Sequence, residues 1–156
     1  MASEIKVDTI VNAGGDNDTG IDLATNDQIL LKVANATKLT MNSTGQTTIV
    51  GEGGTNTTSV QQGLVKVWIQ LNGQGTIATQ DSFNISSITD VGTGNYRTTF
   101  TNNMNNDDFS TWASANAGQN TTEAVTTTTL NTLTANSSGD LGDVSIVTQG
   151  VAGDLA

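Results

Sequence analysis

The chain has 156 residues, of which 35% are hydrophobic, and a formal net charge of −10. Only five Lys and Arg residues stand against 15 Asp and Glu. We therefore expect no binding to nucleic acid and no attraction to anionic membrane surfaces. His and Cys, on which acid–base and nucleophilic catalysis often depend, do not occur, so we expect a non-enzymatic protein without cofactors.

Uncharged polar residues dominate the chain, which holds 28 Thr, 17 Asn and 17 Gly. Thr is β-branched and favours strands, whereas Asn and Gly accept the positive φ angles of tight turns. This composition predicts an all-β protein with many short strands. No apolar run is long enough for a membrane helix, and the first ten residues lack the apolar core of a signal peptide. We therefore expect no membrane insertion and synthesis in a cytoplasm.

The first 67 residues contain no aromatic residue, yet their apolar residues alternate in short clusters. A period of two predicts strands. The strand-forming positions are Ile5, Val7, Val11, Ile21, Leu23, Ile29, Leu31, Val33, Leu39, Met41 and Ile49. Such a segment is either a small monomeric meander or a set of strands that packs around a symmetry axis with other copies. Because a lone meander of this size would be marginal, we expect residues 1–58 to form a trimeric shaft or anchor.

Residues 51–58 show no apolar periodicity, which is typical of a connecting segment. We predict that the first domain ends at residue 58 and that residues 59–62 form the linker. Residues 63–156 are predicted to form an antiparallel, jelly-roll-like β-sandwich, because every aromatic residue lies there. Trp68 and Phe100 are predicted to be core residues. In the predicted strand 83–89 the alternation breaks at Ser86 and Ser87, which predicts a bulge that returns Ile88 to the core face.

Two runs in this second region resemble a module of bacteriophage tail-fibre and related virion proteins. Residues 65–76 (VKVWIQLNGQGT) hold a Trp-containing strand and an Asn-Gly-x-Gly-Thr turn. Residues 81–96 (DSFNISSITDVGTGNY) hold a second strand and a Gly-Thr-Gly-Asn-Tyr hairpin, and a Phe-Thr strand follows at 100–101. Less specifically, residues 31–35 and 39–45 are similar to short-strand fibre repeats. Proteins of this kind come from phages of aquatic bacteria, cyanophages among them, and are usually homotrimeric.

The resemblance implies a homotrimeric virion protein, made in the host cytoplasm and attached through its N-terminus to tail, baseplate or capsid proteins. Its C-terminal domain would contact host-surface glycan or other virion proteins through loops at 102–108, 118–122 and 136–143. The nearest alternative is a capsid decoration, cement or head-fibre protein, since host-range fibres are commonly longer. A monomeric carbohydrate-binding module is a third possibility, which oligomeric state would distinguish.

Tyr96 and Trp112 are the candidate ligand-binding residues, because an aromatic face packs well on the apolar face of a sugar ring. The competing interpretation is core packing for both, or trimer contact for Trp112. Five acidic residues have no spacing that singles out the carboxylate pair of a glycosidase: Asp81, Asp90, Asp107, Asp108 and Glu123. Residues 16–22 alternate acids around Gly20 but miss the EF-hand order, so we expect a turn there. No catalytic residue and no metal site is predicted.

Overall fold

The computed structural model describes residues 6–12, 14, 18–51, 53–116, 118–123 and 125–155. The chain divides into two compact units, Met1–Gly63 (unit 1) and Leu64–Ala156 (unit 2). The start of the first predicted strand at Ile5 lies outside the described residues, as does part of the acidic stretch 16–22. The predicted all-β class is confirmed, because antiparallel sheets make up both units.

Unit 1 is one six-stranded antiparallel sheet in which each strand pairs with the next along the chain. Its strands are β1 (Thr9–Val11), β2 (Gly20–Asp22), β3 (Gln28–Val33), β4 (Ala36–Asn42), β5 (Thr47–Val50) and β6 (Thr57–Ser59). The predicted breaks at 34–36 and 42–45 are tight turns, with positive φ at Ala34, Asn35 and Gly45. The sheet has no second layer among the described residues of unit 1, and none of these residues is buried.

Residues 51–63 hold more structure than their composition indicates. β6 pairs with β5, and the stretch assigned to the linker, 59–62, lies at the end of β6 and in a single helical turn, α1 (Val60–Gly63). The side chain of Gln61 accepts a hydrogen bond from the Thr47 N–H at 2.9 Å and donates one to the Gly45 carbonyl at 2.8 Å. These two bonds attach α1 to the β4–β5 turn, so the segment belongs to unit 1.

Unit 2 is a sandwich of two four-stranded antiparallel sheets. Its strands are β7 (Val65–Asn72), β8 (Ala78–Phe83), β9 (Ile85–Gly92), β10 (Asn95–Phe100), β11 (Ser110–Ala115), β12 (Gln119–Glu123), β13 (Thr129–Ala135) and β14 (Val147–Ala152). The front sheet has the order β11-β14-β7-β8, and the back sheet has the order β12-β13-β10-β9. Eight strands in two layers is the strand count of a jelly roll. Here the hairpins β7–β8, β9–β10 and β12–β13 each stay within one sheet.

The chain crosses from the front sheet to the back sheet at Asn84. This residue has a φ of 60°, a conformation that Asn tolerates better than most residues. Its side chain donates to the carbonyls of Lys66 and Asn102, both at 3.1 Å, and accepts from the Asn102 N–H at 2.7 Å. The prediction of one continuous strand over 83–89 is therefore wrong. Phe83 ends a front-sheet strand and is 52% exposed, whereas Ile85 packs against the core from the back sheet.

The predicted bulge in this region is confirmed. Phe100 pairs with Ile85 and Thr99 with Ser87, which leaves Ser86 as the extra residue in β9. The Ser86 hydroxyl donates toward the Thr99 carbonyl at 3.1 Å and the Phe100 carbonyl at 3.2 Å. The extra residue returns Ile88 to the core face, so Ile85 and Ile88 both pack against the core as predicted.

The core between the two sheets consists of two apolar clusters. One contains Val67, Phe100, Met104, Leu130 and Val151, and the other contains Ile69, Leu71, Tyr96 and Val147. Three strands also place polar residues in the core: Thr98 between Tyr96 and Phe100 on β10, Gln149 between Val147 and Val151 on β14, and Thr132 two residues from Leu130 on β13. Thr98 donates to Gln149 Oε1 at 2.8 Å, whereas Thr132 Oγ1 and Gln149 Nε2 have no hydrogen-bond partner. An unpartnered buried polar group destabilises the folded state.

The buried hydroxyls of Thr132 and Thr98 should have opposite effects on stability. Thr132→Val replaces an unpartnered hydroxyl with a methyl group, so we expect the free energy of unfolding to rise by about 1 kcal/mol. Thr98→Val removes the partner of Gln149, so we expect a loss of about 1–3 kcal/mol. Urea denaturation of the two variants measures both changes. Equal losses in the two variants would contradict this account of the polar layer.

Candidate functional site

A row of aromatic residues crosses the outer face of the front sheet. Trp112 pairs with Gly150, Gly150 with Trp68, and Trp68 with Phe83. Directly paired residues of an antiparallel sheet lie on the same face. Their neighbours Val67, Ile69 and Val151 face the core. The four residues, which we call the aromatic row, therefore point away from the core, with Trp112 44%, Trp68 38% and Phe83 52% exposed.

Gly150 allows the indole of Trp112 to pack directly on the backbone of β14. A methyl group at Gly150 would overlap the indole at Cζ2, Cε2 and Nε1. The ring therefore extends from β11 across the backbone of β14, toward the strand that carries Trp68. The indole covers Gly150, and 44% of the Trp112 surface remains exposed. The missing side chain in the middle of the row makes this close approach possible.

Polar side chains line the aromatic row on one side. Ser114 pairs with Thr148, Thr148 with Gln70, and Gln70 with Asp81. These four residues, the polar row, follow the aromatic row at a spacing of two residues along each strand and therefore share its face. They supply two hydroxyls, an amide and a carboxylate. The outer face thus combines flat apolar rings with hydrogen-bonding groups at their edge.

The structure separates the two predicted ligand-binding residues. Trp112 lies on the outer face of the front sheet, whereas Tyr96 lies in β10 of the back sheet and is fully buried. A methyl group at Gly73 would overlap the Tyr96 ring, so the ring packs directly on the Gly73 backbone. Tyr96 cannot stack on a ligand from this position, and its assignment to a ligand-binding site is corrected to a core role.

The Tyr96 hydroxyl ties together three parts of unit 2. It donates to Asp143 Oδ1 at 3.2 Å and accepts from the Val144 N–H at 3.2 Å. Asp143 Oδ1 also accepts from the Gly94 N–H at 2.7 Å, and the Gly73 N–H donates to the Val144 carbonyl at 2.9 Å. Burial is the main cause that raises the pKa of Tyr96, and the Asp143 carboxylate adds to the shift. The phenol therefore acts as a structural clamp.

The prediction that Trp68 is a core residue is wrong. On β7 the alternation places Val67 and Ile69 inside and turns Trp68 outward, together with Gln70. The sequence already indicated an outward Trp68, because Trp68 alternates with Val67 and Ile69 and lies two residues from the polar Lys66 and Gln70. The prediction for Phe100 is confirmed, since this ring is 4% exposed and contacts Phe109 edge-on.

A second exposed apolar surface lies on unit 1. Ile10 pairs with Ile21, Ile21 with Leu31, Leu31 with Leu39, and Leu39 with Ile49. These five residues, the aliphatic row, lie side by side on one face of the sheet. Ile29 and Met41 pair on the same face, and the exposed fractions of Ile10, Ile29, Leu31, Met41 and Ile49 lie between 38% and 53%. The opposite face is mainly polar and carries the ion pair between Lys32 and Asp22, which lowers the pKa of Asp22.

The acidic residues considered for catalysis lie on separate elements. Asp81 is in β8, Asp90 in β9 and Glu123 in β12, while Asp107 and Asp108 lie between β10 and β11. Within the described part of the chain no group of three or more acidic side chains could hold a metal ion.

Of the three predicted recognition loops, 118–122 lies mostly in β12 rather than in a loop. No helix among the described residues is long and apolar enough to cross a membrane.

No protein-family model, curated protein or solved structure matches this chain. The site must therefore be interpreted from its own geometry.

The Tyr96 clamp should make unit 2 sensitive to alkaline pH. Because the pKa of Tyr96 is raised in the folded state, its stabilising effect is complete below the pKa of about 10 that an unfolded tyrosine has. This stabilisation is lost as the pH rises through the higher folded pKa. We therefore expect the stability difference between the wild type and Tyr96→Phe to shrink above about pH 10. Thermal melts across this range test the expectation, and a difference independent of pH would contradict it.

Gly150→Ala should lift the Trp112 indole from the sheet. The added methyl group occupies the position of the ring, so we expect increased quenching of tryptophan fluorescence by acrylamide and a changed near-ultraviolet circular dichroism. Overpacking of this kind costs about 1–3 kcal/mol. Gly142→Ala is the matched control, because a methyl group there meets no atom within 4 Å. Identical quenching in both variants would show that Gly150 does not support the ring.

Proposed function

We propose that this protein is a non-enzymatic structural protein of a bacteriophage particle, assembled as a homotrimer. In this proposal unit 1 joins the copies and attaches them to other virion proteins, and unit 2 is the head that contacts the host surface or neighbouring virion proteins. The resemblance of residues 65–76, 81–96 and 100–101 to virion modules supports the virion setting. The aliphatic row supports self-assembly, and it is the observation on which the proposal depends.

The aliphatic row is the kind of surface that another protein chain covers. Its members are branched aliphatic side chains that lie next to one another across five strands. Complete burial of a Leu or Ile side chain stabilises a protein by about 1.5–3 kcal/mol, so covering the exposed part of each contributes roughly 1 kcal/mol. Several such residues on each copy supply a driving force for association, from which the cost of immobilising the chains must be subtracted.

A threefold arrangement suits a single sheet with one apolar face. Three sheets around an axis enclose a narrow core, and each apolar face then packs against both neighbours. The polar opposite face, with Thr40, Thr48 and the Asp22–Lys32 pair, remains in solvent. Closed cyclic symmetry also leaves no apolar face free for further growth. Unit 1 would thereby obtain from other copies the second layer that it lacks.

The capsid-decoration alternative uses the same trimer and differs in where the protein sits on the particle. Phage particles that lack the protein distinguish the two roles. Normal adsorption to the host combined with loss of the genome on heating would replace the adhesive role with a stabilising one. Intact particles that adsorb poorly would favour the fibre.

The aliphatic row should be required for trimer formation. We expect light scattering with size exclusion to report about three times the chain mass of 16.1 kDa for the wild type, and the mass of one chain for Ile49→Glu. Thr48→Glu is the matched control, because Thr48 precedes Ile49 on β5 and faces the opposite side of the sheet. The control should remain trimeric.

A wild-type chain that stays monomeric at micromolar concentration would overturn the fibre proposal and favour a monomeric binding module. A mass that Ile49→Glu leaves unchanged would show that the aliphatic row is not the contact between copies.

A further inference from the structure

We infer that the aromatic row and the polar row together form a binding platform for an uncharged glycan chain on the outer face of the front sheet. The inference rests on the adhesive role proposed above and names its site and ligand class. The site consists of Trp112, Trp68 and Phe83 as stacking surfaces, with Gln70 and Asp81 as hydrogen-bonding groups beside them.

The size of the aromatic surface favours a small or linear ligand over a second protein. Three aromatic side chains of about 150–250 Å² each, exposed by 38–52%, present about 300 Å² in total. A stable contact between proteins buries about 800 Å² on each partner. The platform is too small to hold another copy by itself, whereas the aliphatic row on unit 1 already provides a larger surface for that purpose.

The chemistry and spacing of the rings favour a sugar. The Trp112 indole packs against Gly150 and stays 44% exposed, so part of its aromatic surface is open to a ligand. The face of an aromatic ring carries partial negative charge and attracts the weakly positive C–H bonds on the face of a pyranose. Neighbouring strands are about 4.8 Å apart, so the row extends about 14 Å from β11 to β8. This length accommodates consecutive sugar units laid across the strands.

The neighbouring polar groups match the hydroxyls at the edge of a sugar ring. Gln70 is half-buried on a central strand, and its amide both donates and accepts hydrogen bonds. Asp81 lies beside it on β8, is exposed, and offers carboxylate oxygens as acceptors. Ser114 and Thr148 extend the same row toward β11. On β11, β7 and β8 a donor or acceptor therefore stands two residues from a stacking ring, and Thr148 stands between them on β14.

The charge of the platform excludes an anionic glycan. Its exposed charged residue is the acid Asp81, whereas Lys66 on β7 is 7% exposed and its ammonium donates to the Leu64 carbonyl. The chain as a whole carries a net charge of −10. Sulfated or carboxylated polysaccharides would be repelled, so the ligand that this surface fits is neutral.

Affinity electrophoresis of the full chain in native gels tests the inference. The gels contain one of four neutral polysaccharides, namely dextran, mannan, hydroxyethylcellulose or galactomannan, or dextran sulfate as the anionic probe. We expect at least one neutral probe to retard the wild type and dextran sulfate not to. Trp112→Ala and Trp68→Ala should each weaken that binding about tenfold. Trp112→Phe should retain most of it, because a ring remains over Gly150.

Val91→Ala is the control, because Val91 is equally exposed but lies on β9 of the back sheet. Thermal melts of every variant establish that each is folded, and Phe83→Ala at the end of β8 provides a third test if Trp68→Ala is unfolded. Retardation that survives loss of the rings, or no retardation by any neutral probe, overturns the inference.

Light scattering on the same samples separates this result from the assembly proposal. A trimer that binds no neutral polysaccharide refutes the platform and leaves the assembly intact. A monomer that binds refutes the assembly and retains the platform. A Trp112→Ala variant that loses its trimeric mass would assign the aromatic row to contact between copies and would overturn the platform.

Discussion

A β-sheet with one apolar face needs a second layer, and this chain has enough large side chains to build one such interface within itself. All six aromatic residues lie between positions 68 and 112, and the buried residues occur in unit 2 only, among those described. Unit 2 therefore closes into a two-layer sandwich, while unit 1 remains a single sheet with its aliphatic row exposed. The uneven supply of apolar volume determines which unit has a second layer and which unit leaves its aliphatic row exposed.

The two exposed apolar surfaces differ in chemistry, and we assign them different partners for that reason. The aliphatic row consists of branched side chains without directional preference, which other copies can cover by simple packing. The aromatic row contains three exposed aromatic rings, one of them packed on a glycine, next to amide, hydroxyl and carboxylate groups. Aromatic rings at interfaces combine apolar area with specific geometry. One surface therefore suits self-assembly, and the other suits recognition of a ligand.

Much of the strand pattern could be predicted from the sequence because it depends on alternation along one strand. Strands β2 to β5 of unit 1 and the bulge at Ser86 follow from local periodicity. The crossing at Asn84 could not be predicted in the same way, since it depends on hydrogen bonds to Lys66 and Asn102. The aromatic row could not be predicted from the sequence either, because the pairing of four strands brings together its members Trp112, Gly150, Trp68 and Phe83. β6 was missed because Thr57 and Thr58 show no apolar period.

The central claim, that copies of the chain bury the aliphatic row, can be tested by cysteine labelling, since the natural chain has no Cys. Leu39→Cys and Thr40→Cys place a thiol on adjacent, half-buried residues of β4 that face opposite sides of the sheet. In an isolated chain both thiols would react with a maleimide at similar rates. We expect Leu39→Cys to react at least about tenfold more slowly, because local opening must precede its reaction, and to form disulfides between copies on mild oxidation. Equal rates without such disulfides would contradict the assembly of unit 1 through its aliphatic row.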